Sequence, residues 1–205
     1  MSVYIIEACV ETRKELENAV NQGVERIELC SYLDKDGLTP TKKMIDFALS
    51  FPDLHVKVMI RPREGDFCYS LQDIRHIQKD IKICHNLGIE EIVFGAIKNN
   101  RIDVELVSKV AQWAKPMKIT IHKAIDVSID PLNDILALKT INGIRAILSS
   151  GQKTSAAEGY FMLSEMKRVC GEDLELIPAG KITPVNINEL HQKLGARSYH
   201  GRRIV

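Results

Sequence analysis

Along the chain, short apolar stretches rich in Val and Ile alternate with longer segments in which apolar residues recur every three to four positions. The short stretches predict strands at 3–9, 24–30, 55–61, 91–97, 117–122, 144–149, 174–179 and 196–200. Their spacing, roughly 20–35 residues, suits successive βα units. The intervening segments predict helices and carry start signals. Thr12-x-x-Glu15 and Ser70-x-x-Asp73 read as capping boxes. Thr39-Pro40, Asp130-Pro131 and Thr183-Pro184 each set a capping side chain before a proline suited to the first helical position. Gly23, Gly88, Gly143 and Gly195 supply stop signals. Between Ser70 and Gly88, the residues Leu71, Ile74, Ile77, Ile81, Cys84 and Leu87 mark one helical face.

Eight strands alternating with seven helices predict a parallel sheet closed into a TIM-type (β/α)8 barrel, a single domain over 1–205. It would be trimmed, lacking the last helix, against a usual length of about 250 residues. An open doubly wound sheet gives the same alternation and is the competing architecture. A barrel without its last helix leaves apolar surface beside its first and last strands, so a homo-oligomer that covers it is expected.

Side chains alternate faces along a strand, and the faces here differ in kind. Ile27 and Leu29 share one face of the second strand; Arg26, Glu28 and Cys30 share the other. Ile5, Glu7 and Cys9 lie together, as do Lys57, Met59 and Arg61, Thr120 and His122, and Ser198 and His200. Strands that pack on helices need an apolar outer face, so the polar set points into the barrel. Buried charges must be paired, and Glu7, Glu28, Arg26, Arg61 and His122 are placed to compensate one another. Several stand near the C-terminal strand ends, where barrel active sites form. Either they are a site or they are an internal salt-bridge network filling a narrow barrel. His122 is the acid–base candidate, because imidazole titrates near neutrality. Lys57 lies too deep, and Lys123 faces outward, for Schiff-base chemistry.

Composition narrows the classes. The 205 residues are 45% apolar and 27% charged, with a net charge of +1. That is a globular composition with no nucleic-acid or membrane surface expected. The N-terminal stretch lacks a basic leader and Glu7 interrupts its apolar run, so a cytoplasmic location is expected. Five cysteines, with no C-x-x-C pair, argue against a disulfide framework or zinc knuckle. After the third strand comes Arg61-Pro62-Arg63-Glu64-Gly65-Asp66, more charge than a connecting turn needs. Arginine's planar fork suits carboxylate or phosphate. The loop either recognises an anion or clamps Glu7 and Glu28.

Five stretches carry a resemblance: "RIELC" at 26–30, "GLTP" at 37–40, "IRPREGDFCYS" at 60–70, "HKAID" at 122–126 and the terminal "HGRRIV". In order and spacing they resemble the CutC family of copper homeostasis proteins, from residue 3 to the C-terminus. The resemblance implies a single cytoplasmic TIM-type barrel with a role in handling Cu(I). Three positions depart from the family pattern. Asp36-Gly37 stands for Gly-Gly, Lys123 and Ile125 replace Arg and Phe, and Ala179-Gly180-Lys181 replaces a glycine triplet. The last departure weakens a backbone phosphate cradle.

Cys9 and Cys30 end neighbouring inward-facing strands, which lie about 4.8 Å apart. Two thiolates there could share a soft ion such as Cu(I); equally, cysteine is a small residue that is often buried. Cys68 lies in the loop on the same rim, and Cys84 and Cys170 read as packing. Two functions therefore remain open. One is a copper protein carried by Cys9 and Cys30. The other is a barrel enzyme of unstated reaction acting on a small anionic metabolite through Glu7, Glu28, Arg61 and His122.

Overall fold

A computed structural model of the protein describes residues 4–205. The strands are β1 (Ile5–Val10), β2 (Arg26–Leu29), β3 (His55–Met59), β4 (Glu91–Phe94), β5 (Ile97–Lys98), β6 (Arg101–Ile102), β7 (Lys118–Ile121), β8 (Ile144–Ser149), β9 (Glu175–Pro178) and β10 (Ser198–Gly201). The helices are α1 (Arg13–Asn21), α2 (Lys42–Ala48), α3 (Leu71–Asn86), α4 (Val104–Ala114), α5 (Pro131–Lys139), α6 (Tyr160–Cys170) and α7 (Ile187–Leu194). Eight strands form one sheet in the order β10-β1-β2-β3-β4-β7-β8-β9, with parallel pairing throughout.

This is a nearly closed TIM-type barrel. Among the described residues no ladder joins β9 to β10. Side chains span that seam instead: the Ser198 hydroxyl donates to Glu175, and Arg26 donates to the same carboxylate at 3.4 Å. The helix-facing residues Ile27, Leu29, Val58, Ile92, Phe94, Ile119 and Ile121 are wholly buried. Each such side chain contributes roughly 1.5–3 kcal/mol on burial, which is why the apolar parity faces outward to the helices.

Local signals mostly act as expected. Thr12 with Glu15 and Ser70 with Asp73 form capping boxes, and Asp130 caps α5 ahead of Pro131. Other details differ. Val3, the expected start of the first strand, lies outside the described residues. The stretch 91–97 is not one strand: β4 ends at Phe94, and Ile97 opens a small β5–β6 hairpin. Asn99 and Asn100 turn that hairpin with φ of 52° and 58°, the left-handed pair that a two-residue hairpin loop requires. Thr41, not Thr39, caps α2, because the Thr39 hydroxyl is bonded to the Arg61 backbone. Thr183 does not cap α7, which begins after Asn186. Leu71 stands exposed at the first turn of α3, while Ile77, Ile81 and Cys84 form its buried face.

Candidate functional site

The inward parity places Glu7, Arg26, Glu28, Lys57, Arg61, Glu91, Thr120, His122 and His200 inside the barrel, each buried. They fall into two groups. The deeper group is an ion network centred on Glu7. Arg26 Nε lies 2.7 Å from Glu7, Lys57 Nζ 3.0 Å and His200 Nδ1 2.8 Å. Lys57 also reaches Glu91 at 3.0 Å and Thr120 Oγ1 at 3.0 Å. His55 meets Glu91 at 3.1 Å from the far end of the barrel. Burial pushes the Glu7 carboxyl up, but Lys57, His200 and Arg26 outweigh it and hold the group well below the carboxylate range. Glu91 is held at about 2, burial again being overcome, here by His55, Lys57 and Thr120.

His200 carries this network to the C-terminal mouth. Its Nε2 lies 3.5 Å from Glu28 Oε2. The same oxygen is 3.3 Å from Cys9 Sγ and 3.6 Å from Cys30 Sγ, and the two sulfurs are 3.9 Å apart. Cys9, Glu28 and Cys30 are all buried, with one ligand atom from each within 4.8 Å of the others. The geometry follows from register. Cys9 pairs with Glu28 across β1 and β2, and Glu7 pairs with His200 across β1 and β10.

Burial, reinforced by the Cys9 charge, raises Glu28 to about 8, so it is a neutral acid at pH 7. Hydrogen bonding from Cys30 lowers the Cys9 thiol against the cost of burial, and His200 adds to the lowering. Cys30 is pushed up by the same contact and by burial. For His200, burial opposes the charged form, but Glu28, Cys9 and Glu7 raise it well above its ordinary value. The pocket thus favours one thiolate beside one imidazolium.

Arg61 and His122 stand apart from this cluster. The Arg61 guanidinium donates to the carbonyls of Lys35, Asp36 and Gly37 at 3.0–3.3 Å and to that of Gly65 at 2.8 Å. It also stacks 4.9 Å from the Phe67 ring, whose other neighbour is His122 at 4.8 Å. Arg61 therefore staples two rim loops. One of them brings Gly37 over the metal-capable pair, where a Cβ would sit 3.2 Å from Cys30 Sγ. The Nδ1 of His122 accepts the Ala124 N–H at 3.0 Å. Burial first, and Arg61 second, lower His122 to about 3, so it is neutral at physiological pH. Gly95 leaves the space the ring occupies; a Cβ there would meet the imidazole at 2.8 Å.

Of the six residues singled out from sequence, the structure joins Cys9, Cys30, Glu28 and Glu7, and sets Arg61 and His122 on a separate part of the rim. His200, which links Glu7 to the cysteines, was not among them. Its parity was legible, but its pairing with Glu7 depends on the last strand returning to the first. Cys68 is exposed; Cys84 on α3 and Cys170 on α6 are buried in the large core and pushed up to about 12 by burial.

Fold and site together define a TIM-type barrel whose C-terminal mouth carries a buried dithiol wired to an acid and an imidazole. The chain belongs to the CutC family, whose profile matches residues 4–205. A human protein named copper homeostasis protein cutC homolog is 33% identical over 198 residues, covering 96% of this chain and 72% of the relative. A CutC family protein of Caulobacter vibrioides is also 33% identical over 198 residues, covering 96% and 80%. The crystal structure of a CutC protein from Streptococcus agalactiae superposes with a TM-score of 0.93 at 27% identity, covering 98% of this chain and 100% of that one. Dihydrodipicolinate synthase of Bacillus anthracis, at 12% identity and a TM-score of 0.65 over 98% of this chain and 70% of that one, shares the fold alone.

Proposed function

We propose that this protein binds Cu(I) through Cys9 and Cys30 and serves copper homeostasis, as the names of its relatives suggest. The observation that carries the reading is the 3.9 Å sulfur separation beside Glu28 and His200. Metal–thiolate bonds of about 2.3 Å let one ion bridge sulfurs up to about 4.6 Å apart, so the pair fits a shared ion. Soft thiolates select Cu(I). A reducing cytoplasm, where thiols stay free, is the location this chemistry needs.

The test is anaerobic titration of the reduced protein with Cu(I) against a chromophoric chelator. About one Cu(I) per chain is expected for a two-thiolate site. Replacing both cysteines with Ser should abolish tight binding with the far-UV circular dichroism unchanged, whereas His122→Gln should leave affinity unaltered. A double Ser variant that binds as tightly as the parent refutes the site.

A second reading has one observation behind it. Arg61 Nε and His122 Nε2 are buried donors without a partner among the described residues, and such groups are costly unless satisfied. A small anionic ligand at the mouth would satisfy them. Calorimetry with inorganic phosphate and with citrate tests this: heat that is lost in His122→Phe supports it, and no heat with either anion discards it.

A further inference from the structure

We infer that Met59 supplies a third sulfur to the same ion, so that the site is two thiolates and one thioether. This rests on the Cu(I) reading above. In the β2–β3 ladder Glu28 faces Lys57 and Leu29 faces Val58, so the next step of the register sets Cys30 beside Met59. Parity then turns Met59 into the barrel. It is 5% exposed and packs with Cys9, Cys30 and Val93 in a small cluster covered by Leu33. That cluster is separate from the large core between sheet and helices. A thioether-bearing side chain thus shares one small buried cluster with both thiol residues at the mouth, at a position the helix-facing core does not require.

The chemistry asks for such a donor. With bonds of about 2.3 Å, sulfurs 3.9 Å apart hold an ion in a bent arrangement and leave one side open. Three side chains around the pair carry donor atoms. Glu28 offers a hard oxygen already within reach of both thiols and of His200. His200 has both ring nitrogens turned to carboxyl groups, those of Glu7 and Glu28. Met59 is the soft donor, and no hydrogen bond to its sulfur is found among the described residues. Thioether and thiolate together favour Cu(I) over a harder ion. Methionine's unbranched, flexible chain can swing its sulfur onto the ion without moving the strand. The consequence is selectivity: two thiolates alone also suit Zn(II), and the thioether tips the site to Cu(I).

The variant is Met59→Leu, close in volume and apolar, so packing is retained. Cu(I) affinity is measured by chelator competition, Zn(II) affinity in parallel, and the number of sulfurs around copper by X-ray absorption. The expected result is three sulfurs in the parent and two in the variant. Cu(I) affinity should fall at least about tenfold, the scale of losing even an outer-shell partner, with Zn(II) affinity unchanged. If the parent binds Cu(I) and the double Ser variant does not, yet Met59→Leu matches the parent in affinity and sulfur count, Met59 is packing only and the inference falls while the thiol site stands. If the parent binds no Cu(I), both fall.

Discussion

Glu7→Gln removes one negative charge from the centre of the barrel and keeps the side chain's volume. Three cations lose their nearest counter-charge: Arg26 at 2.7 Å, Lys57 at 3.0 Å and His200 at 2.8 Å. Breaking a buried pair by removing one partner costs about 3–5 kcal/mol, because it strands the other charge. Here Arg26 and Lys57 each keep a second carboxylate, Glu175 and Glu91, and His200, left beside the protonated Glu28, can release its proton rather than stay charged. The lower end, about 3 kcal/mol, is therefore expected, against a total stability on the order of 5–15 kcal/mol. With a urea slope of about 2–3 kcal/mol/M, the midpoint should fall by roughly 1–1.5 M. Lys57→Met in the same background should restore part of the loss, since a stranded cation is removed with it. A midpoint within about 0.3 M of the parent at unchanged slope would show that the network carries no net stability and would sink the pairing argument.

Gly37→Ala should destabilise by about 1–3 kcal/mol, the usual cost of a side chain held in left-handed backbone, since Gly37 has φ +82° and its new Cβ would press on Cys30 Sγ at 3.2 Å; thermal unfolding measures it. Acid should unfold the protein in a defined window, followed by circular dichroism. Glu7 and Glu91 are depressed in the folded state, so their contribution is full above the unfolded value of 4.5; that of Glu91 is lost as pH falls through about 2, and that of Glu7 at lower pH still. Arg61→Lys replaces a fork bonded to four carbonyls with one ammonium, and limited proteolysis should then cut within 35–37 or 64–66 faster than in the parent. We also expect self-association through the face beside β1 and β10, where Ile6 is only half-buried; sedimentation giving a monomer at tens of micromolar would exclude it.

The barrel was legible because two periodicities alternate along the chain and because parity separates Ile27 and Leu29 from Glu28 and Cys30. Parity also placed Glu7, Lys57 and His122 inside. It could not tell which inward residues touch, since contact across a barrel depends on stagger between strands far apart in sequence. Glu7 and His200 are separated by 193 residues and meet because β10 lies beside β1. The hairpin at Ile97–Ile102 was missed because its strands are two residues each, too short for any periodicity. Its signal was the Asn99-Asn100 pair. Thr39 was misassigned for a different reason: a hydroxyl before proline suits a helix start, but here the Arg61 backbone competes for it and wins.

The charge after β3 is the clearest case of a sequence feature whose role depends on geometry. A guanidinium forks a carboxylate or phosphate only if its terminal nitrogens are free. Those of Arg61 are occupied by carbonyls of residues 35–37 and 65, and those of Arg63 by the carbonyls of Glu64, Asp66 and Cys68 and the Asp66 carboxylate. The Nε of Arg63 is bonded to Asp73, the residue that closes the cap of α3. Both arginines therefore bind backbone carbonyls, Arg61 mostly those of the turn after β2 and Arg63 those of its own loop, tying the start of α3 to the turn after β2. That turn carries Gly37 against Cys30 Sγ. The thiol pair is thus fixed from two sides. Glu7 and His200 hold it from inside the barrel, and Arg61 holds its cover from the rim. The soft-metal site proposed above would gain from this arrangement, because sulfurs pre-set 3.9 Å apart need little ordering to bind an ion.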